Sequence, residues 1–424
     1  MLDKLKQIWK IKELRNKIIF VLLLLALFRL VAHIPVPGVD LGALRRFFES
    51  NQLLGLMNVF SGGTMENFSV IMLGVGPYIT ASIIFQLLAM VVPSLEEMSK
   101  EGESGRHRIN QYTRLLSVPL AFLQSYGMIM LLRQSNAGII IDLSIFRLVT
   151  TMITITAGTM FLMWLGEIIS EKQIGNGISL LIFAGIIAAL PTQIQQLFLT
   201  FDSSQLVEVI IYVLIAIITI AGVVFVTEAQ RNIPVVYAKQ VRGNRVFGGT
   251  ASHLPLRVNM AGVIPIIFAI SIVLLPPLVA QFFLRVRTAW LASLAQNVIA
   301  LFNNSIFYAI FYFFLVVGFT YFYTAVIFHP KKVAENLQKQ GGFIPGIRPG
   351  KLTADYLQYI TNRILLAGSL FLGAIAILPL ALKGVTGSQS MVIGGTSLLI
   401  VVSVVIEIIK QIESQLSMRD YEEF

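Results

Sequence analysis

Residues 72–92 read MLGVGPYITASIIFQLLAMVV, twenty-one residues without a charge. A helix rises about 1.5 Å per residue, so this run matches the ~30 Å hydrocarbon core of a bilayer. A strand of the same composition would leave backbone groups unpaired in lipid, so the run is read as a helix. Comparable apolar runs occur at 18–36, 114–133, 147–169, 178–199, 206–228, 258–283, 301–328, 359–381 and 389–410. The period-2 alternation of a membrane barrel is absent. The expectation is an all-α polytopic membrane protein with about ten transmembrane helices.

Composition agrees. Of 424 residues, 56% are hydrophobic and 13% charged, against about 25% charged in an ordinary soluble domain. Mean hydropathy is +0.79. A soluble globular chain and a disordered one are both excluded. The chain has no cysteine, which removes disulfides, thiolate metal sites and cysteine nucleophiles. His33, His107, His253 and His329 are the only histidines, and none stands four residues from another. A helical two-histidine metal site is therefore not expected. Neither a P-loop lysine motif nor a Gly-rich dinucleotide fingerprint occurs. The chain is read as neither an enzyme nor a cofactor carrier, and any energy source as another protein or a gradient. The net charge of +10 fits basic loops facing anionic lipids, not DNA.

Orientation follows from Lys and Arg. Twenty-four of the 32 lie in the N-terminal segment, in the loops after spans 2, 4, 6 and 8, or in the tail. Those parts, and so both termini, are expected in the cytoplasm. The first 36 residues imitate a signal peptide, but the apolar run is long and ends in Pro35-Val36-Pro37-Gly38, so it is expected to stay as span 1.

Two words recur. GVGP at 74–77 returns as GVIP at 262–265, and GISLLI at 177–182 returns as GTSLLI at 395–400. Both pairs are five spans apart, an odd number, so the partners cross the membrane in opposite directions. This is the mark of an inverted repeat with a path or site at the interface of the halves. The chain divides into a cytoplasmic segment 1–17, an N-terminal half 18–200, a C-terminal half 201–410 and a cytoplasmic tail 411–424.

Spans 2, 5, 7 and 10 are then the candidate walls, and their middles hold no ionisable group. Glu167, Glu228 and Glu407 fall near cytoplasmic ends, which disfavours an ion-coupled carrier. Arg29, the deepest charge, reads as an anchor that snorkels outward or bonds carbonyls. The walls offer isoleucine: Ile79 and Ile83, Ile182 and Ile186, Ile267, and Ile400. Positions i and i+4 share a helix face. These side chains serve either as ordinary packing and lipid contact or as a ring that excludes water and ions by dewetting. Segment 53–70, LLGLMNVFSGGTMENFSV, is too short to span. It reads either as a re-entrant element or as an interfacial helix. Residues 284–300, with Trp290, fit an interfacial helix. Two long cytoplasmic loops, 229–257 and 329–358, carry turn glycines, prolines and basic residues. The first has the pattern of a hairpin, and both suit a docking partner.

Several strings are specific: Ile34-Pro35-Val36-Pro37-Gly38, NVFSGG at 58–63, GPYITASIIFQLL at 76–88, KEGESGR at 100–106, IGNGISLLIFAGI at 174–186, SHLPLRVNMAGVIP at 252–265, GFIPGIRPG at 342–350 and GGTSLLIVV at 394–402. In these, from about residue 15 onward, the sequence resembles the bacterial SecY family, the large subunit of the protein-conducting channel. The resemblance implies two inverted five-helix halves around a central pore, in the bacterial plasma (inner) membrane. It implies a pore ring of Ile79, Ile83, Ile182, Ile186, Ile267 and Ile400. It implies a short re-entrant plug helix at 56–70, with Asn58, Phe60, Ser61, Gly62 and Gly63. A lateral gate between spans 2–3 and 7–8 would include Gln124 and Asn259. Arg242, Arg245 and Arg348 would dock the motor ATPase SecA or the ribosome. SecE-like and SecG-like small subunits are the implied membrane partners, and signal peptides and nascent chains the clients. Two other classes fit the repeat alone: a carrier for a small apolar or amphipathic solute, and a scaffold for other membrane subunits.

Overall fold

The computed structural model describes residues 9–50, 58, 61–134, 139, 144–199, 206–237, 240–242, 245–247, 251–284, 286, 288–386 and 395–420. Helices occupy all ten expected positions: α1 (Lys12–Ala32), α3 (Gly76–Val91), α5 (Glu103–Gln134), α6 (Ile145–Glu171), α7 (Gly177–Leu199), α8 (Leu206–Glu228), α9 (Ile264–Phe283), α11 (Ser305–Ile327), α13 (Lys351–Thr386) and α14 (Gly395–Asp420). Shorter helices are α2 (Leu41–Ser50), α4 (Pro93–Lys100), α10 (Ala289–Asn303) and α12 (Pro330–Lys339).

By length and composition, six helices can each cross a membrane: α5, α6, α8, α9, α13, and α11 continued by α12. The count rises to seven if α3 and α4, bent by 102° at their junction, form one span. Pro93 at the start of α4 explains the break, since it has no N–H to continue the ladder. The other three expected spans fall short of that test. α1 carries Glu13, Arg15, Lys17 and Arg29, the apolar part of α7 ends at Thr192, and α14 brings in Glu407, Lys410 and Glu413. These charges fall mainly toward helix ends, where long side chains reach the headgroups.

The outer faces are apolar. Leu22, Leu23, Ile210, Val213, Leu214, Ile217, Phe225, Ile306 and Phe314 are all exposed, more than a water-facing surface carries. The α8 window is the most apolar of the spans and buries only 11% of its residues. Lipid is the solvent such a surface fits.

The repeated words fold alike. Gly74 has φ +58° and Gly262 φ +64°, the left-handed region that glycine enters without a Cβ clash. Val75 and Val263 then stand as N-caps, both at φ −91°, and Pro77 and Pro265 enter the first helical turn. Packing repeats as well. In the N-terminal half α3 packs on α5, α5 on α6, α6 on α7, and α1 on α6 and α7. In the C-terminal half α9 packs on α11, α11 on α13, α13 on α14, and α8 on α13 and α14. Each pair is the counterpart of the other five spans along.

The halves meet at two seams. On one side α7 packs on α14; on the other, α9 packs on α3 and α5. One apolar core extends through both halves, from Val21 and Phe28 of α1 to Leu399 and Val404 of α14.

Four strands follow α8: β1 (Gln230–Tyr237), β2 (Gln240–Arg242), β3 (Arg245–Phe247) and β4 (Ala251–Arg257). A fifth, β5 (Gly342–Phe343), comes from the other long loop. β1 pairs antiparallel with β4, in register Ile233↔Leu254, and with β5 through Val236↔Phe343. β4, β1 and β5 thus form one sheet that joins the two loops, with β2 and β3 a separate pair; the joined loops have their own core of Ile233, Val235, Leu256, Leu337, Ile344, Leu357 and Ile360.

Candidate functional site

All six isoleucines are buried, from 0% exposure at Ile83 and Ile400 to 7% at Ile79, and all belong to the shared core. α3 supplies Ile79 and Ile83, α7 supplies Ile182 and Ile186, and α9 and α14 supply Ile267 and Ile400. Four helices of both halves therefore contribute branched side chains to one cluster. Ile79, Ile182 and Ile267 also line a cavity of about 90 Å³ with Ser61, Met65 and Gln124. Ile267 faces this space with Ile270, whereas its neighbour Ile266 does not line it. The volume holds several waters but not a polypeptide.

Among the described residues, the three acids near the cytoplasmic helix ends each have a partner. Glu167 pairs with Arg114 of α5 at 2.6 Å, and Glu228 pairs with Lys410 of α14 at 2.7 Å. Glu407 accepts from the backbone N–H of Asn176. An apolar constriction without fixed charge excludes ions by dewetting and yields to an incoming chain without breaking ionic bonds.

The segment before α3 fills the space beside the ring. Ser61, Gly62 and Asn58 are buried, and Gly63 partly so. Phe60 lies outside the described residues. Ser61 Oγ donates to Asn58 O at 2.9 Å, and Gly63 N to Asn58 O at 2.8 Å. Arg29 Nη1 donates to Gly62 O at 2.7 Å, which is the carbonyl-bonding role expected of that charge. Further along, the segment is part of the N-terminal half. Val36 N donates to Phe68 O and Val70 N to Ile34 O, and Phe68 and Met72 are buried beside Phe48 and Met128. Residues 68–70 are thus fixed by strand-like bonds, whereas Asn58, Ser61 and Gly63 bond mainly within their own segment. Asn58 and Ser61 are helical, and the chain turns at Gly62 and Gly63; residues 59 and 60 lie outside the described residues.

Span 5 holds a feature that the sequence analysis missed. Gly185 lies between Ile182 and Ile186, and a Cβ placed on it would stand 2.5 Å from Gly62 Cα. Glycine inside a helix is the available signal, but its partner is a loop more than a hundred residues away.

At the α3/α5/α9 seam, Tyr126 stacks on Phe282 with centroids 5.4 Å apart, and Gly127 lies against Leu278. Gln124 lines the cavity. Asn259 is 6% exposed and its Oδ1 has no hydrogen-bond partner among the described residues. No hydrogen bond joins Gln124 to Asn259 among those residues. The α7/α14 seam has a polar tie, Gln415 Nε2 donating to Gln173 O at 2.7 Å. Apolar contact closes the first seam, so an apolar helix can replace it at little cost.

In the loops, Arg242 and Arg245 are register partners in the β2–β3 pair. Arg348 is exposed in the turn after β5, where its carbonyl accepts from Thr353 Oγ1 at 2.9 Å. All three arginines belong to the strand-bearing module.

Comparison with known proteins shows the family and the fold. The SecY family model covers residues 69–409. The protein translocase subunit SecY of Streptomyces scabiei is 44% identical over 439 positions spanning 100% of both chains. That of Mycobacterium tuberculosis is 44% identical over 97% of each. A solved protein-conducting channel shares the fold, with a TM-score of 0.64 at 20% identity, covering 93% of this chain and 90% of that one. So does Sec61 in a canine ribosome–channel complex, with a TM-score of 0.62 at 19% identity over 94% and 91%. With the match spanning more than half its length, the chain belongs to the SecY family.

Proposed function

We propose that the chain is the channel subunit of a bacterial protein translocase, passing secretory polypeptides across the plasma membrane and releasing apolar segments sideways into lipid. One observation carries the reading: six branched side chains from four helices of both halves lie in a single buried cluster, with Ser61 and Gly62 seated beside it. In this reading the ring and that segment seal the resting path. A signal sequence enters at the α3/α5/α9 seam, replaces its apolar contacts, and the segment moves aside. Segments partition by hydrophobicity, at roughly 0.3–0.6 kcal/mol gained per Leu, Ile, Phe or Val at the helix centre.

The chain itself supplies no nucleotide chemistry, so the driver is a SecA-like motor or the ribosome, docked on the module that presents Arg242, Arg245 and Arg348. SecE-like and SecG-like subunits complete the complex. Both termini and the docking module lie in the cytoplasm, as the distribution of Lys and Arg supports. The test is delivery of a secretory precursor. Vesicles containing the chain with a SecE-like subunit and SecA should protect it from protease when ATP is present. A carrier for small solutes would leave it exposed.

A further inference from the structure

Gly62 and Gly185 are in backbone contact. A Cβ built on Gly62 would stand 2.7 Å from Gly185 Cα, and one on Gly185 would stand 2.5 Å from Gly62 Cα and 3.2 Å from Gly62 N. Real Cβ atoms do not approach backbone so closely, and here the obstacle on each side is main chain, which cannot rotate away. Gly62 also has φ +79°, so it holds a conformation that favours glycine. Its carbonyl is fixed from the other direction by Arg29 Nη1 at 2.7 Å, and Phe28 of the same helix closes the remaining space at 3.3 Å from the built Cβ.

The position of Gly185 gives this contact its meaning. It lies in the middle of α7, between the two isoleucines and three residues after Ile182, on the side of the helix that carries Ile182. Alanine is the better helix former, and glycine inside a helix is destabilising relative to it. Nothing in α7 itself calls for glycine there. Outside its own helix, the three atoms nearest its built Cβ are the Cα, N and C of Gly62.

We propose that Gly185 is the seat of the plug loop: a positioning residue whose missing side chain lets Gly62 reach the isoleucine ring, where Arg29 then holds it. The seat thereby sets how tightly the resting channel is shut and how good a signal sequence must be to open it. This inference rests on the reading of the chain as a sealed channel.

A side chain at 185 forces Gly62 away by about 1 Å. Such a shift stretches the Arg29 bond beyond the ~3.2 Å limit of a good N–H···O contact. Losing a hydrogen bond to a charged group shifts an equilibrium by about ten- to a hundredfold. The experiment measures resting ion conductance of the full chain in its native complex, in planar bilayers fused with membrane vesicles. The variants are Gly185→Ala, Gly62→Ala, their double, and Ile400→Asn as an independent opening of the ring. Gly222→Ala is the control, because its Cβ would meet only the Phe371 ring at 3.4 Å.

The expected result is about a tenfold or greater rise in conductance for Gly185→Ala and for Gly62→Ala, with none for Gly222→Ala. The double variant should leak no more than the product of one single and a small residual factor, because both side chains spoil one contact. A helix made stronger by alanine yet leakier is not explained by general destabilisation. If Gly185→Ala accumulates poorly, Gly62→Ala tests the same gap from the loop side. Resting conductance of the parent level in both glycine variants, with Ile400→Asn leaking, overturns the seat and leaves the channel. Parent-level conductance in all of them overturns the channel reading together with the seat.

Discussion

Replacing Ile400 with asparagine tests the ring at one of its two fully buried members. Ile400 is fully buried in the core shared by α3, α7, α9 and α14. Closing the ring removes that side chain from the water of an open path, which contributes about 1.5–3 kcal/mol. Asparagine gives up this gain and adds an amide without a partner in an apolar site, a cost of about 1–3 kcal/mol. In the open path the amide faces water and the cost vanishes. The closed state therefore loses about 3 kcal/mol relative to the open one, more than a hundredfold in open fraction. Ile400→Leu conserves volume and should shift the balance by less than about 1.5 kcal/mol. The assay is resting conductance in planar bilayers, paired with export of a precursor carrying a weakened signal sequence. Ile400→Asn should leak and should export the weak precursor; Ile400→Leu should do neither to a comparable degree. Equal conductance and equal stringency in the two variants would refute the reasoning.

Two further outcomes follow from the seam and the sheet. With no other cysteine in the chain, Tyr126→Cys with Phe282→Cys gives a single thiol pair across the α5/α9 contact. A short cleavable thiol cross-linker should stop transport and membrane insertion until it is cut, and undiminished transport in the fully linked protein would remove this seam from the path. Val236→Pro should free the second long loop. Val236 pairs with both Ala251 and Phe343, and proline removes a ladder donor from this central strand. SecA binding to vesicles should weaken by about tenfold while resting conductance stays at the parent level, and unchanged binding would mean that the linked loops are not the docking unit.

Much of the membrane-embedded architecture was legible because lipid offers no partner to an open backbone, so each long apolar run had to be a helix. Ends were less legible. α3 starts at Gly76 and not at residue 72, because Gly74 turns the chain through positive φ. α9 starts at Ile264 for the same reason at Gly262. α5 and α13 begin 11 and 8 residues before the expected spans, at Glu103 and Lys351, since a helix continues past the bilayer wherever its backbone remains bonded. The expected start of span 8 at residue 301 falls inside α10. There Asn304 caps a new helix by accepting from Ile306 N and Phe307 N. A helix, α10, covers most of the segment 284–300 read as interfacial, and its Trp290 is exposed.

The six isoleucines could be named, but spacing alone did not distinguish a ring from ordinary packing; only the tertiary arrangement brings four helices to one cluster. Contacts distant in sequence were invisible. Nothing in the 329–358 loop signals that Gly342–Phe343 will extend a sheet begun a hundred residues earlier. Gly185 meets Gly62 across a gap that no periodicity encodes. Asn259 and Gln124 were expected to share a seam, and the structure places one in a cavity wall and leaves the other's carbonyl oxygen unpaired.

The most direct test of the central claim is ATP-dependent protease protection of a secretory precursor, in vesicles holding this chain, a SecE-like subunit and SecA, compared with the same vesicles carrying Arg348→Glu. Arg348 is exposed in the turn after β5 and apart from the isoleucine cluster, so its reversal leaves that cluster intact and tests the proposed docking alone. Protection that requires ATP and is lost in Arg348→Glu is the result the account predicts. A competent precursor left fully accessible to protease with the parent chain would contradict it.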